Sequence, residues 1–295
     1  HDQLRGGGHL SGGPANFGVS AKLGEGAPFV IEADEYDTAF FDKRSKLVHC
    51  PARTAILNNL EFDHADIFSD LASIERQFHH FVRILPNSGR IIVNGQDEAL
   101  RRVLSQGCWT PVEQFGVDGM WQLAGVDSQG GFEVRLQGSA LGRVRWNQAG
   151  EHSRMNALAA IAAARHAGVE PRTAIEALGR FEGVRRRLEQ RGTAHGVAVY
   201  DDFAHHPTAI RLTLEGLRAR VGSARILAVQ EPRSNTMKLG AMKDRLAASL
   251  AAADRVFVYA AGLGWDAPAA LRSLGARASC HEELAALVAA IVAEA

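Results

Sequence analysis

The run Val30-Ile-Glu-Ala-Asp-Glu-Tyr-Asp37 ends an apolar stretch with four carboxylates in six residues, Glu32, Asp34, Glu35 and Asp37. Like charges this close repel, and a cation or cationic partner relieves the repulsion. An acid–imidazole pair, Asp63-His64, stands five to six residues beyond Asn58 in "NNLEFDHADIF". Ligands of open α/β sheets bind at the carboxyl ends of strands. Glu32 and His64 on neighbouring parallel strands would therefore meet on one rim. A carboxylate and an imidazole there suit Mg²⁺, which takes one or two protein ligands and fills its shell with phosphates and water. The acidic run also reads as a solvated loop with an N-cap at Asp34 or Asp37, and Asp63-His64 as a surface pair.

Four more clusters carry chemistry. "GEHSRMNAL" (150–158) sets His152 and Asn156 one helical turn apart. An Asn amide offers a base edge a paired donor and acceptor; the same stretch also reads as a plain helix start capped by Ser153. "RRRLEQRG" (185–192) holds four Arg, whose planar forks suit phosphate oxyanions but equally fit a solvated linker. "YDDFAHHP" (200–207) brings Asp201, Asp202, His205 and His206 to a strand end, with Pro207 opening a helix. A carboxylate there can hold a ribose hydroxyl, whereas adjacent imidazoles on a turn point apart and argue against a second metal. In "QEPRSNTMKLG" (230–240), Arg233 and Lys238 suit a substrate carboxylate. Polar clusters at successive strand ends favour a ligand cleft between two domains.

The elements positioning these residues follow from periodicity. "PFVIE" (28–32), "TAILN" (54–58) and "GRIIVNG" (89–95) are short apolar runs suited to buried parallel strands. Leu71, Ile74, Phe78, Phe81 and Val82 carry a helical spacing. Between 112 and 147 the pattern alternates and is split by glycines, as in antiparallel hairpins. An Ala-rich helix is expected over 152–169. Strand-like runs at 197–202, 224–230 and 254–260 alternate with helical segments near 208–220, 238–252 and 281–293, a βαβ series that predicts a parallel sheet. The expected organisation is α/β: a central domain over 1–183, with a mostly parallel sheet and a small antiparallel one, then a Rossmann-like domain over 184–295. A βαβ series ending on a helix at Ala295 suggests a further strand beyond it, though a terminal helix is also a normal ending.

Composition sets the bounds. A chain of 295 residues with 46% hydrophobic and 22% charged residues suits about two globular domains. Lys+Arg and Asp+Glu balance at 33 each, which argues against a general nucleic-acid or membrane footprint. Cys50, Cys108 and Cys280 are far apart, give no zinc spacing and fit reduced thiols in a cytoplasmic protein. No run of 18 apolar residues occurs. The first residues hold neither a signal-peptide core nor a Met, so the expectation is a soluble fragment.

Taken in order, "EADEYD", "NNLEFDHADIF", "GEHSRMNALAAI", "FEGVRRRLE", "DDFAHHP" and "EPRSNTMKLG" resemble the Mur ligase family, the ATP-dependent amide-forming enzymes of peptidoglycan assembly. The resemblance covers residues 12–295 and is nearest the branch that joins UDP-N-acetylmuramate to a murein tripeptide. It implies ATP and Mg²⁺ as cofactors, with Glu32 and His64 on the metal. It places Asn156 and His152 at the adenine, Arg187 at the ATP phosphates, and Asp202 with His205 on the nucleotide's ribose side. Arg233 and Lys238 would face the incoming peptide. The implied mechanism phosphorylates the muramyl carboxylate, after which the peptide amine attacks the acyl phosphate. No nucleic acid or membrane is involved. Three departures stand out. Gly6-Gly7-Gly8 and Gly12-Gly13 are followed by no Lys-Ser/Thr, so the family's phosphate-binding loop is absent. Ser153 replaces the usual Asn. Gln77 to His80 offer no Lys of the kind some members carbamylate. The expectation is a chain shortened at both ends and inactive alone. The alternatives are a folylpolyglutamate synthase-like ligase, a non-catalytic nucleotide-binding remnant and, least supported by ligand number, a metal-dependent hydrolase.

Overall fold

The computed structural model describes residues 7–9, 13–33, 37–39 and 42–295. Asp34 and Glu35 of the acidic run lie outside the described residues, as do Gly6 and Gly12. The chain divides into two units. The first comprises His1–Phe62, Phe68–Gln148 and His152–Arg185; the second comprises Asp63–Ile67, Ala149–Glu151 and Arg186–Ala295.

In the first unit, β1 (Gly7–His9), β2 (Ala21–Lys22) and β3 (Phe29–Ile31) form a sheet of order β2-β1-β3. A short antiparallel pair follows, β4 (Asp37–Ala39) and β5 (Asp42–Ser45). Then come β6 (Thr54–Leu57), α1 (Leu71–Ile84), β7 (Arg90–Asn94), α2 (Glu98–Ser105), β8 (Val112–Phe115), β9 (Trp121–Ala124), β10 (Phe132–Leu136) and β11 (Ser139–Val144). These strands make one six-stranded sheet of order β11-β10-β9-β8-β7-β6, parallel from β6 to β8 and antiparallel from β9 to β11. Helices α3 (Glu151–His166) and α4 (Pro171–Gly179) complete the unit.

Strand β7 shows why this sheet is two-sided. Ile91 and Val93 pack into a cluster with Ile74, Val82, Leu100 and Val103 of α1 and α2. Ile92 points the other way, into a cluster with Leu158, Ile161 and Ile175 of α3 and α4. Ile91 and Ile92 are both fully buried; each such side chain contributes about 1.5–3 kcal/mol. Caps fix where the helices start: the Asp70 carboxylate accepts from Ser73 N at 2.7 Å, and Asp97 accepts from Leu100 N at 2.8 Å. Asp97 also accepts from Leu60 N at 2.9 Å, tying the loop after β6 to α2.

Two strand pairings differ from expectation. β3 does not neighbour β6: it pairs in parallel with β1, and Phe29, Val30 and Ile31 are about half exposed rather than buried. β6 closes one end of the six-stranded sheet, with β7 as its partner there. An extended apolar run satisfies its backbone with any matching strand, and the Gly7–His9 backbone supplies one. β8, expected in a hairpin, instead pairs in parallel with β7.

The second unit begins with β12 (Glu189–Ala194) and β13 (Val197–Asp201), paired antiparallel. It continues through α5 (Pro207–Val221), β14 (Leu227–Gln230), α6 (Asn235–Lys238), α7 (Lys243–Ser249), β15 (Arg255–Tyr259), α8 (Ala267–Ala270), β16 (Ala278–His281) and α9 (Leu284–Glu294). The parallel sheet is β14-β15-β16. "VAVYDD" is therefore the return arm of a hairpin and not a member of that sheet. His195 and Gly196 take φ of +50° and +85°, the two left-handed residues a tight hairpin turn requires. β16, unexpected from the sequence, takes the third place. The helix expected over 238–252 is interrupted at Gly240, whose φ is +74° and where a Cβ would stand 2.9 Å from Trp265 Cδ1. Among the described residues no helix is long and apolar enough to cross a membrane.

Candidate functional site

In the first unit, Glu32 follows β3 and is exposed. His152 and Asn156 lie in the opening turns of α3, the former partly buried and the latter exposed. Asn58, at the end of β6, donates its Nδ2–H to Asn156 Oδ1 at 2.7 Å. That bond occupies the acceptor half of the Asn156 amide and leaves its NH₂ for a base edge. The spacing rule that picked out His152 and Asn156 had no access to Asn58, which lies 98 positions away.

In the second unit, the segment 63–67 forms a turn closed by Ile67 N donating to His64 O at 2.8 Å. His64 has φ of +54°, a conformation that costs a branched-at-Cγ residue about a kcal/mol and is held only by surrounding bonds. Asp63 supplies part of that hold, accepting from His64 N at 2.7 Å and from the Thr236 hydroxyl at 2.7 Å. Burial pushes the Asp63 carboxyl up, but hydrogen bonds from the Thr236 hydroxyl and the His64 N–H, with the electrostatic influence of the nearby imidazoles, outweigh it and hold the pKa below the ordinary value. His205 has its Nδ1 3.1 Å from Phe203 O and its Nε2 3.7 Å from Asp63 Oδ2. His206 instead caps α5, accepting from Thr208 N at 3.3 Å. The two imidazoles thus serve different partners.

Asp202 is more engaged than a ribose-binding carboxylate need be. Its Oδ2 accepts from Leu188 N at 2.7 Å, and its Oδ1 from Ala204 N at 2.8 Å and Thr213 Oγ1 at 3.3 Å. Leu188 and Arg186 both have positive φ, +49° and +57°, so Asp202 anchors a strained loop. Arg187 stands at its centre, exposed. Arg186 is committed elsewhere, 3.4 Å from Asp201 and over the Phe203 ring at 4.9 Å. Arg233 is largely exposed, 3.9 Å from Glu231, and Lys238 ends α6 exposed. Among the described residues no three His, Cys, Asp or Glu gather to hold a metal by themselves.

Known proteins match both stretches. Residues 19–164 match the Mur ligase middle domain and residues 186–295 the Mur ligase glutamate ligase domain. The chain belongs to the Mur ligase family. It is 59% identical over 251 residues to the UDP-N-acetylmuramate–L-alanyl-γ-D-glutamyl-meso-2,6-diaminoheptandioate ligase of Escherichia coli, a match covering 84% of this chain and 55% of that protein. The UDP-N-acetylmuramate–L-alanine ligase of Mycolicibacterium vanbaalenii is 34% identical over 84% of this chain and 53% of that protein. Among solved structures, a murein peptide ligase from Psychrobacter arcticus superposes with a TM-score of 0.72 at 38% identity, covering 98% of this chain and 66% of that one. The chain thus spans little more than half the length of the curated relatives it matches.

Proposed function

We propose that this chain supplies the middle and C-terminal domains, with a boundary at 183/184, of an ATP-dependent ligase of peptidoglycan recycling. The reaction joins UDP-N-acetylmuramate to L-alanyl-γ-D-glutamyl-meso-diaminopimelate through an acyl phosphate. The observation that carries this reading is the gap in identity between the tripeptide-adding relative, at 59%, and the L-alanine-adding one, at 34%.

The donor set suits a Mg²⁺ ion that arrives with a nucleotide. Glu32 in the first unit offers an exposed carboxylate and His64 in the second an imidazole, each a donor of the kind Mg²⁺ takes sparingly beside phosphates. When bound, Mg²⁺ neutralises charge on the phosphoryl groups. The Asn156 NH₂ donates to the adenine edge beside His152. Arg187, held on its strained loop, offers a planar fork to phosphate oxygens. Asp202 has one remaining lone-pair site on Oδ2 for a ribose hydroxyl, and His205, three residues on, is a further nucleotide-binding residue. Arg233 and Lys238 pair with the carboxylates of the tripeptide. Orientation and exclusion of water protect the acyl phosphate from hydrolysis.

The test replaces the matching segment of the Escherichia coli relative with this chain and measures ADP release. Release that needs UDP-N-acetylmuramate and the tripeptide, and is not supported by L-alanine, is the expected result. Release driven by L-alanine, or a folded chimera with none, overturns the assignment.

A further inference from the structure

The turn that carries His64 is fastened by residues 169 to 173 positions further along the chain. Thr236 is 2% exposed, and its hydroxyl does two jobs. It donates to Asp63 Oδ1 at 2.7 Å and accepts from Ala65 N at 3.2 Å. One residue before it, Asn235 donates its Nδ2–H to Asp66 Oδ2 at 2.8 Å. These bonds bracket His64 on both sides, and its own N–H is taken by Asp63.

The fastening point is itself rigid. Ser234 caps α6 through a bond from Met237 N at 3.3 Å, and the Trp265 indole N–H donates to Met237 O at 2.8 Å. Met237 is 2% exposed, and the left-handed Gly240 packs its backbone against the same indole. A four-residue helix would not hold a fixed orientation alone; the cap, the indole and burial hold it here.

We infer that Thr236 is a positioning residue for His64, setting the imidazole through Asp63 and the Ala65 N–H, with Asn235 securing the far end of the turn. The inference rests on the reading of His64 as a Mg²⁺·nucleotide group for its purpose, but not for its geometry. The chemistry is selective. Only a side chain that donates and accepts at one atom can serve both Asp63 and Ala65. Serine keeps that capacity. Valine keeps the shape and loses it.

The test compares wild type, Thr236→Val, Thr236→Ser, Asn235→Ala and His64→Ala in the full chain, by hydrogen exchange of the peptide spanning 63–67 and by calorimetric binding of Mn²⁺·ATP. In Thr236→Val the His64 and Ala65 amides should exchange at least tenfold faster, while peptides from β14, β15 and α7 keep their protection. Thr236→Ser should restore wild-type exchange and affinity, and Thr236→Val should bind Mn²⁺·ATP several-fold more weakly. Unchanged exchange in Thr236→Val, or no recovery in Thr236→Ser, overturns the inference. If valine loosens the whole unit, Asn235→Ala decides, since faster exchange confined to 63–67 supports the tether and unchanged exchange removes it. Faster exchange in Thr236→Val with His64→Ala binding Mn²⁺·ATP as wild type does leaves the tether standing and refutes the metal role of His64.

Discussion

Asp202→Asn separates a structural carboxylate from a ligand-binding one. Asparagine keeps one oxygen, which can go on accepting from Ala204 N and Thr213. It places an NH₂ where Oδ2 accepts the Leu188 N–H at 2.7 Å. A hydrogen bond to a charged group contributes about 1.5–3 kcal/mol, and here the loss also sets donor against donor. Leu188 and Arg186 sit at φ of +49° and +57°, each costing about 1–2 kcal/mol for a residue with a Cβ. That strain acts in the same direction once the anchor is gone. A local loss of about 2 kcal/mol at Leu188 corresponds to amide exchange about 30-fold faster. The assay is residue-resolved hydrogen exchange of Leu188 and Ala204. Adding Leu188→Gly should return part of the loss, because glycine enters the left-handed region freely. Unchanged exchange at Leu188, or no recovery with glycine, would refute the anchoring argument. A fall in Mg·ATP affinity without either change would mean the carboxylate matters through the ribose alone.

Other expectations follow from single sites. Trp121 is fully buried and donates to Glu113 Oε2 at 2.9 Å, so Trp121→Phe should destabilise by about 2–4 kcal/mol in urea titration. A change below about 1 kcal/mol would mean that Arg90 and Arg165, each 3.4 Å from Glu113, suffice for it. Gly240→Ala meets Trp265 and a φ of +74°, and should cost about 1–3 kcal/mol, read as a lowered Tm. The Ile226 N–H and the Arg218 guanidinium hold the Asp254 carboxyl below its usual pKa. A depressed folded-state pKa stabilises above the unfolded value and is lost as pH falls through the folded one. Asp254→Asn should therefore lower Tm at pH 7 and by progressively less as pH falls into the acid range; a loss independent of pH would remove the charge from the explanation.

Helices were legible because their signals are local. The spacing of Leu71, Ile74, Phe78, Phe81 and Val82 marks α1, and Pro207 marks the first turn of α5. Strand partners were not, because alternation says which face is buried and nothing about the neighbour. "PFVIE" was legible as a strand and illegible as the partner of β1. "VAVYDD" reads as a sheet strand by its apolar run alone, and the signal of its true hairpin place is His195-Gly196, a glycine after a turn-tolerant residue between two extended runs. Thr236 carried no signal at all: its partner lies 173 positions away.

The polar residues at strand ends show why motif reading mixes two roles. A chain leaving a strand or entering a helix exposes backbone N–H groups that must find acceptors. Asp63, Asp202 and His206 meet that need at His64, at Leu188 and Ala204, and at Thr208. The sequence displays them exactly as it would display ligand contacts, because both tasks select short acceptors just past a strand. Cations are more discriminating. A guanidinium has no acceptor and cannot satisfy a backbone N–H, so an Arg held in place without a protein partner has its charge directed outward. Arg186 is consumed by Asp201 and Phe203. Arg187, one residue on and flanked by two strained residues that Asp202 helps to fix, has no such partner among the described residues. Of the residues named from the sequence in the second unit, it is the one we propose for the phosphate anion.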